Sequence, residues 1–238
     1  MKKALKAGVF AALTLASIPV AYAGDDEGAW GPFTAGATLT SDYRFRGVSQ
    51  SDRGGAIQGW VPYDHASGFS ANVWASHIDF TPFGDSDASV EIDLTAGYTH
   101  NFSDATSGTI KAVYYLYPDA NDAPDDPHCF EVIAGVSHDF GKASVTGEFA
   151  WTPDYYGGND DAEALTGGVS VPLMDSFAFF DGGLSASGHV GYQWFNNSQD
   201  YLFYDLGATA TWGIFDFDVR WVGTDISNAE CGSDICED

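Results

Sequence analysis

The chain has 238 residues, 45% apolar and only 18% charged, with 17 Phe, 12 Tyr, 7 Trp and 28 Gly. Nine Lys and Arg stand against 34 Asp and Glu, a net charge of −25 that repels phosphate backbones and argues against nucleic-acid binding. So many aromatic residues and so few charged ones argue against disorder. The Gly and aromatic enrichment favours strands over helices.

Lys2, Lys3 and Lys6 open the chain, and an apolar run follows from Ala7 to Val20. Ala21-Tyr22-Ala23 then supplies a small-x-small cleavage pattern, so residues 1–23 read as a signal peptide and 24–238 as one exported domain. The run is too short for a transmembrane anchor. Cleavage after Ala23 removes three of the nine cations, leaving six against 34 acids and a net charge of −28. No later stretch approaches ~18 continuous apolar residues, so a membrane crossing could only be a closed β-barrel.

Beyond the leader, the apolar residues alternate. In the first predicted strand, Phe33–Phe45, the apolar face is Phe33, Ala35, Ala37, Leu39, Tyr43 and Phe45. Weaker alternation covers Ile57–Tyr63 and Phe69–Ile78. From Val90 to Phe102, Val90, Ile92, Leu94, Ala96 and Tyr98 oppose Glu91, Asp93, Thr95, Gly97 and Thr99. Ile110–Tyr117, Phe130–Phe140, Ala143–Trp151, Ala162–Val171, Leu184–Trp194, Tyr201–Trp212 and Phe215–Trp221 complete eleven predicted strands. Their length of about ten residues is that of a tilted membrane-spanning strand. No window repeats at three and four residues, so helices are not expected.

The connections sort by length. Gly47–Gly55, Asp79–Ala88, Pro118–Pro127 and Pro153–Asp161 are long; Asp64–Gly68, Ser103–Gly108, Asp139–Lys142 and Gly213–Ile214 are short. Pro172–Gly183 breaks the rule. Outer-membrane barrels have short periplasmic turns and longer external loops. The expected fold is therefore all-β: an antiparallel up-and-down transmembrane β-barrel of about 12 strands. Bacterial single-chain barrels use an even count, so eleven strands imply that the last is missing from a chain stopping at Asp238.

Ser41-Asp42-Tyr43-Arg44-Phe45-Arg46-Gly47-Val48-Ser49-Gln50-Ser51-Asp52-Arg53-Gly54 closely resembles the opening motif of the TorF family of porin-type proteins. Shorter pieces fit the same family, among them Glu91-Ile92-Asp93-Leu94, Tyr114-Tyr115-Leu116-Tyr117-Pro118 and Gly188-His189-Val190-Gly191-Tyr192. The resemblance covers nearly the whole exported chain. It implies an outer-membrane β-barrel with a channel role and an unassigned substrate, continued past Cys231 and Cys236 by one more apolar strand.

Three of the six remaining cations, Arg44, Arg46 and Arg53, fall within ten positions. Arg44 shares a predicted strand face with Asp42, and Arg46 continues it. Arginine on the lipid face near the midplane costs about 2–4 kcal/mol, so that face is expected to line the lumen. Opposed to Glu91 and Asp93, such a strip would create a transverse field that selects solutes. A salt-bridge ladder filling a narrow barrel is the other reading.

Asp119, Asp122, Asp125 and Asp126 crowd one long loop, Asp85 and Asp87 a second, and Asp154, Asp160 and Asp161 a third. Their spacing matches no EF-hand, so they read as a solvated rim, with divalent bridging to lipopolysaccharide a softer alternative. Cys231 and Cys236 are close enough for a disulfide in an exported chain, which leaves Cys129 over. The six histidines lack ligand spacing, and no G-x-S-x-G elbow or P-loop occurs, so neither metal, cofactor nor enzymatic activity is expected.

The expected function is passive diffusion of small polar solutes or ions across an outer membrane, with a preference for cations from the acidic charge. The expected partners are outer-membrane lipid and lipopolysaccharide. A non-conducting barrel closed by Arg–carboxylate pairs is the alternative, and a soluble barrel with a ligand inside its apolar face is a third, because alternation does not say which face is inside.

Overall fold

The computed structural model describes residues 12–17, 33–79, 88–118, 120, 127–155, 161–176 and 183–226. The described strands are β1 (Ala12–Ser17), β2 (Gly36–Thr40), β3 (Arg44–Phe45), β4 (Val48–Ser49), β5 (Ala56–Asp64), β6 (Phe69–His77) and β7 (Val90–Asn101). They continue as β8 (Thr106–Leu116), β9 (Cys129–Asp139), β10 (Ser144–Thr152), β11 (Ala162–Met174), β12 (Leu184–Phe195), β13 (Tyr201–Trp212) and β14 (Phe215–Thr224). Twelve of them form a closed antiparallel barrel in the order β1-β14-β13-β12-β11-β10-β9-β8-β7-β6-β5-β2, while β3 and β4 pair only with each other. The all-β, up-and-down architecture read from the alternation is what the chain adopts.

From β5 to β14 each strand pairs antiparallel with its predecessor around the ring, and β2 pairs with β5. The shortest connection shows the chemistry. Trp212 pairs with Phe215 across Gly213-Ile214, and Gly213 takes φ of +57°, as the first central residue of a two-residue turn requires. The β5–β6, β7–β8, β9–β10 and β13–β14 turns sit at one end of the barrel and are short. The connections at the opposite end are longer.

The apolar face points outward. Leu39, Ile57, Val73, Leu94, Ile110, Val136, Leu165, Val190, Leu206 and Val219 are all exposed. At the short-turn end this aliphatic belt is flanked by exposed Phe69, Phe102, Phe140 and Trp212; at the long-loop end, by Tyr114, Phe130, Trp151, Trp194 and Trp221. The outward Phe130, on β9, and Phe140, one residue past its end, are ten residues apart. At ~3.4 Å per residue and a tilt near 40°, that is roughly 26 Å along the barrel axis, close to the apolar band of an outer-membrane barrel. A barrel that stored an apolar ligand inside would place these residues the other way round.

The structure departs from the sequence reading in two places. The predicted first strand does not run to Phe45. β2 stops at Thr40, and the chain turns into the barrel, taking Tyr43, Arg44, Phe45 and Arg46 off the wall. Period-2 alternation persists through this turn because the β3–β4 hairpin is itself extended, so the period alone did not reveal the break. Second, the ring position that the strand count left empty is held by β1, from the segment read as the leader. β1 pairs with β14 from Ala12–Arg220 to Ser17–Asp216, but with β2 at Leu15–Leu39. The remaining eleven strands form one continuous sheet, from β2 to β14.

Candidate functional site

The site is the hairpin and the lumen it enters. Residues 42–54 hold their own shape. Asp42 accepts from Arg44 Nε at 2.6 Å on one carboxylate oxygen and from Ser49 Oγ at 2.6 Å on the other. Arg44 Nη1 donates to the Gly47 carbonyl at 2.9 Å. Ser51 Oγ accepts the Tyr43 amide at 2.9 Å and donates to the Gly54 carbonyl at 2.8 Å. The tip is a two-residue turn in which Arg46 and Gly47 both have positive φ, +47° and +85°, as a type I′ turn demands. Gly47 is required twice over. A Cβ there would lie 2.5 Å from Thr224 Cγ2 and 2.9 Å from the Gly223 carbonyl.

The hairpin is anchored across the lumen. Arg46 donates to Glu131 Oε1 on β9 at 2.7 Å and to Gln193 Oε1 on β12 at 2.9 Å. Tyr115 on β8 donates to the other Glu131 oxygen at 3.1 Å. Burial works against the charge of Arg46, and Glu131 outweighs it, so the guanidinium is held above its ordinary range. The Phe45 ring meets Tyr115 at 6.1 Å and the Tyr43 ring meets Trp74 at 5.3 Å. At the wall, the Asp79 amide donates to the Gln50 carbonyl at 2.8 Å.

The six predicted lumen residues separate into four groups. Asp42 and Arg44 pair with each other inside the hairpin. Arg46 faces Glu131 and not the expected Glu91 and Asp93, because it leaves the turn toward β9. Arg53 lies at the foot of the loop with φ of +57°, its amide bonded to Ser49 Oγ at 2.9 Å. Glu91 and Asp93 do project inward from β7. Glu91 is 2% exposed and accepts the Tyr117 hydroxyl at 3.0 Å. Cys129 is buried; Cys231 and Cys236, with Asp85, Asp87, Asp119, Asp122, Asp125, Asp126 and Asp160, lie outside the described residues.

Below the hairpin is a cavity of about 740 Å³. Asp42, Asp93, Glu131, Glu148, Asp205 and Asp218 line it, against Arg44, Arg46, Lys111 and Arg220, an excess of two carboxylates. On β12–β14 the charges are closed among themselves. Arg220 donates to Asp205, to Asp218 at 3.2 Å and to Ser187 Oγ at 2.8 Å, and His189 meets Asp205 at 3.0 Å. Lys111 meets Glu148 at 3.4 Å. Sequence reasoning missed Glu131, Gln193, Lys111, Asp205, Asp218 and Arg220. Their inward parity was readable from apolar neighbours such as Phe130 and Val132, but their partners on distant strands were not. Among the described residues, no three His, Cys, Asp or Glu side chains gather as a metal site.

A solved porin structure matches with a TM-score of 0.41 and 13% identity, over 83% of this chain and 77% of that one. No curated protein matches the chain. Residues 26–236 match the family Gcw_chp, described as a bacterial protein of unknown function. With most of its length inside that match, the chain belongs to the Gcw_chp family.

Proposed function

We propose that this protein is an outer-membrane channel for small polar solutes or ions, with cations preferred. The reading is carried by one combination: an outward aliphatic belt between two aromatic girdles, enclosing a charged cavity of about 740 Å³. Apolar residues outside and carboxylates inside suit a barrel with lipid around it and water within it. The TorF resemblance at Ser41–Gly54 supports the same reading. That motif builds the hairpin, which narrows the lumen as a constriction. Export directed by residues 1–23 and contact with outer-membrane lipid and lipopolysaccharide belong to this proposal, and no catalytic role does; cleavage after Ala23 would take β1 out of the ring and leave the eleven-strand sheet from β2 to β14 to close without it.

The excess of carboxylates raises the local concentration of cations and lowers that of anions. Planar-bilayer recording of the refolded chain across a salt gradient tests this. Discrete steps with a cation-selective reversal potential are expected; an anion-selective potential would overturn the preference. The second reading is a closed, structural barrel, favoured by the Arg46–Glu131–Gln193 anchor that ties the hairpin across the mouth. Under that reading the folded, inserted protein is silent, and only release of the anchor produces steps.

A further inference from the structure

A second cavity of about 290 Å³ borders the first and reaches toward the short turns, lined there by Thr109, Ser137 and Thr146. Glu148, Thr166 and His189 line both cavities, so they mark the passage from one to the other. Two glycines make room for the ionisable pair. A Cβ at Gly135 would lie 3.2 Å from Glu148 Cγ, and one at Gly168 only 2.4 Å from His189 Cδ2 and 3.0 Å from Nε2. Because β11 carries no side chain at Gly168, the imidazole lies across that strand, inside the passage.

The ring is held at one nitrogen. His189 Nδ1 donates to Asp205 at 3.0 Å, since an ionised carboxylate only accepts. That puts the ring proton on Nδ1 and the lone pair on Nε2. The side chain is 41% exposed, so Nε2 exchanges protons with lumen water. The charged groups around the ring come from four strands: Asp205 on β13, Arg220 and Asp218 on β14, and Glu148 on β10 with Lys111 on β8. On β11, Ala164, Thr166 and Gly168 bring none. Two carboxylates against one guanidinium leave the β12–β14 cluster one negative charge over, while Lys111 balances Glu148.

We propose that His189 is a proton-operated selectivity residue at this passage. Neutral, it leaves the cluster negative and the lumen cation-preferring. Protonated, it cancels the excess charge and lowers that preference. One proton moves from hydronium in the lumen to the Nε2 lone pair, and no other bond between heavy atoms changes. Imidazole is the side chain that ordinarily changes charge between about pH 5 and 8. The excess of carboxylates around the larger cavity then falls from two to one. That role in selectivity rests on the channel reading; proton uptake at Nε2 does not.

Planar-bilayer recording of the refolded full chain in a KCl gradient, at about pH 8 and about pH 5.5, tests the switch. The permeability ratio of K⁺ over Cl⁻ is expected to fall about twofold on acidification, as the excess halves. His189→Asn keeps an amide donor for Asp205 and takes no proton, so it abolishes the fall. In parallel, ¹⁵N spectra of histidine-labelled protein follow the His189 ring, identified by the signal missing from His189→Asn. Its protonation midpoint should coincide with that of the ratio. If His189→Asn fails to fold, Gly168→Ala displaces the ring from Asp205 and moves both midpoints together. A fall that survives His189→Asn lies with other groups, such as Asp93, and overturns the proposal. So does a ring that stays neutral down to about pH 5.5. A ring that titrates in an inserted, silent barrel overturns the channel reading alone; steps whose ratio is constant with pH overturn the switch alone.

Discussion

Two walls of one lumen use the same residue types in opposite ways. On β12–β14, Asp205 and Asp218 are bound by Arg220, and His189 adds a further contact to Asp205. Opposite, on β6–β7, Glu91 and Asp93 have no ion pair among the described residues, and Glu91 is held by the Tyr117 hydroxyl instead. Carboxylates in both places contribute to a net charge of −25, but only the first set is neutralised by an ion pair among the described residues. Net charge alone therefore says little about selectivity: what counts is the charge left over after internal pairing. The hairpin belongs with the paired side, because Arg46 closes on Glu131.

The contrast between the walls breaks most severely at Arg46. Arg46→Ala leaves Glu131, whose side chain is 4% exposed, without its cation. Loss of one partner of a buried pair costs roughly 3–5 kcal/mol. The expected result is a lower unfolding midpoint in detergent and a larger unit conductance as the hairpin loosens; an unchanged step size would show that the hairpin does not constrict the path. Arg220→Ala converts the paired wall into a second unpaired one. Its partners are about a fifth exposed, so the cost falls to roughly 2–4 kcal/mol. Thermal unfolding reads that loss, and reversal potentials should shift further toward cations.

Asp93→Asn sharpens the contrast from the other side. Removing an unpartnered buried charge is expected to raise stability by about 1 kcal/mol while reducing cation preference several-fold in a salt gradient. A stability loss with unchanged selectivity would mean that Asp93 is structurally bound and outside the path. Lys111→Ala gives the smallest effect. The Lys111 and Glu148 side chains are 33% and 48% exposed, so the pair contributes less than about 0.5 kcal/mol and thermal melts should nearly superimpose.

Much of the barrel was legible because a strand with lipid on one face and water on the other must alternate. Tyr201–Trp212 is both a predicted strand and β13, and Val90–Phe102 differs from β7 by one residue. The inward parity of Glu91 and Asp93 follows from the same rule. The fold of Ser41–Gly54 was not legible. Its residues alternate as a wall strand would, yet Asp42, Arg44 and Ser49 satisfy one another locally and turn the chain inward. The wrong partner for Arg46 has the same origin. Glu131 is 85 residues away in sequence, and only closure of the sheet brings β9 within reach of the turn.

By itself, the sequence determined the strand class, most strand limits, the hairpin order and the acidic character of one face. All of these are local, set by period-2 side-chain geometry and turn chemistry within a few residues. Only the tertiary structure decided that the apolar face lies outside, that the arginine motif folds into the lumen, and which carboxylates are paired. Those depend on distances across a closed ring between residues far apart in the chain, which no local pattern encodes.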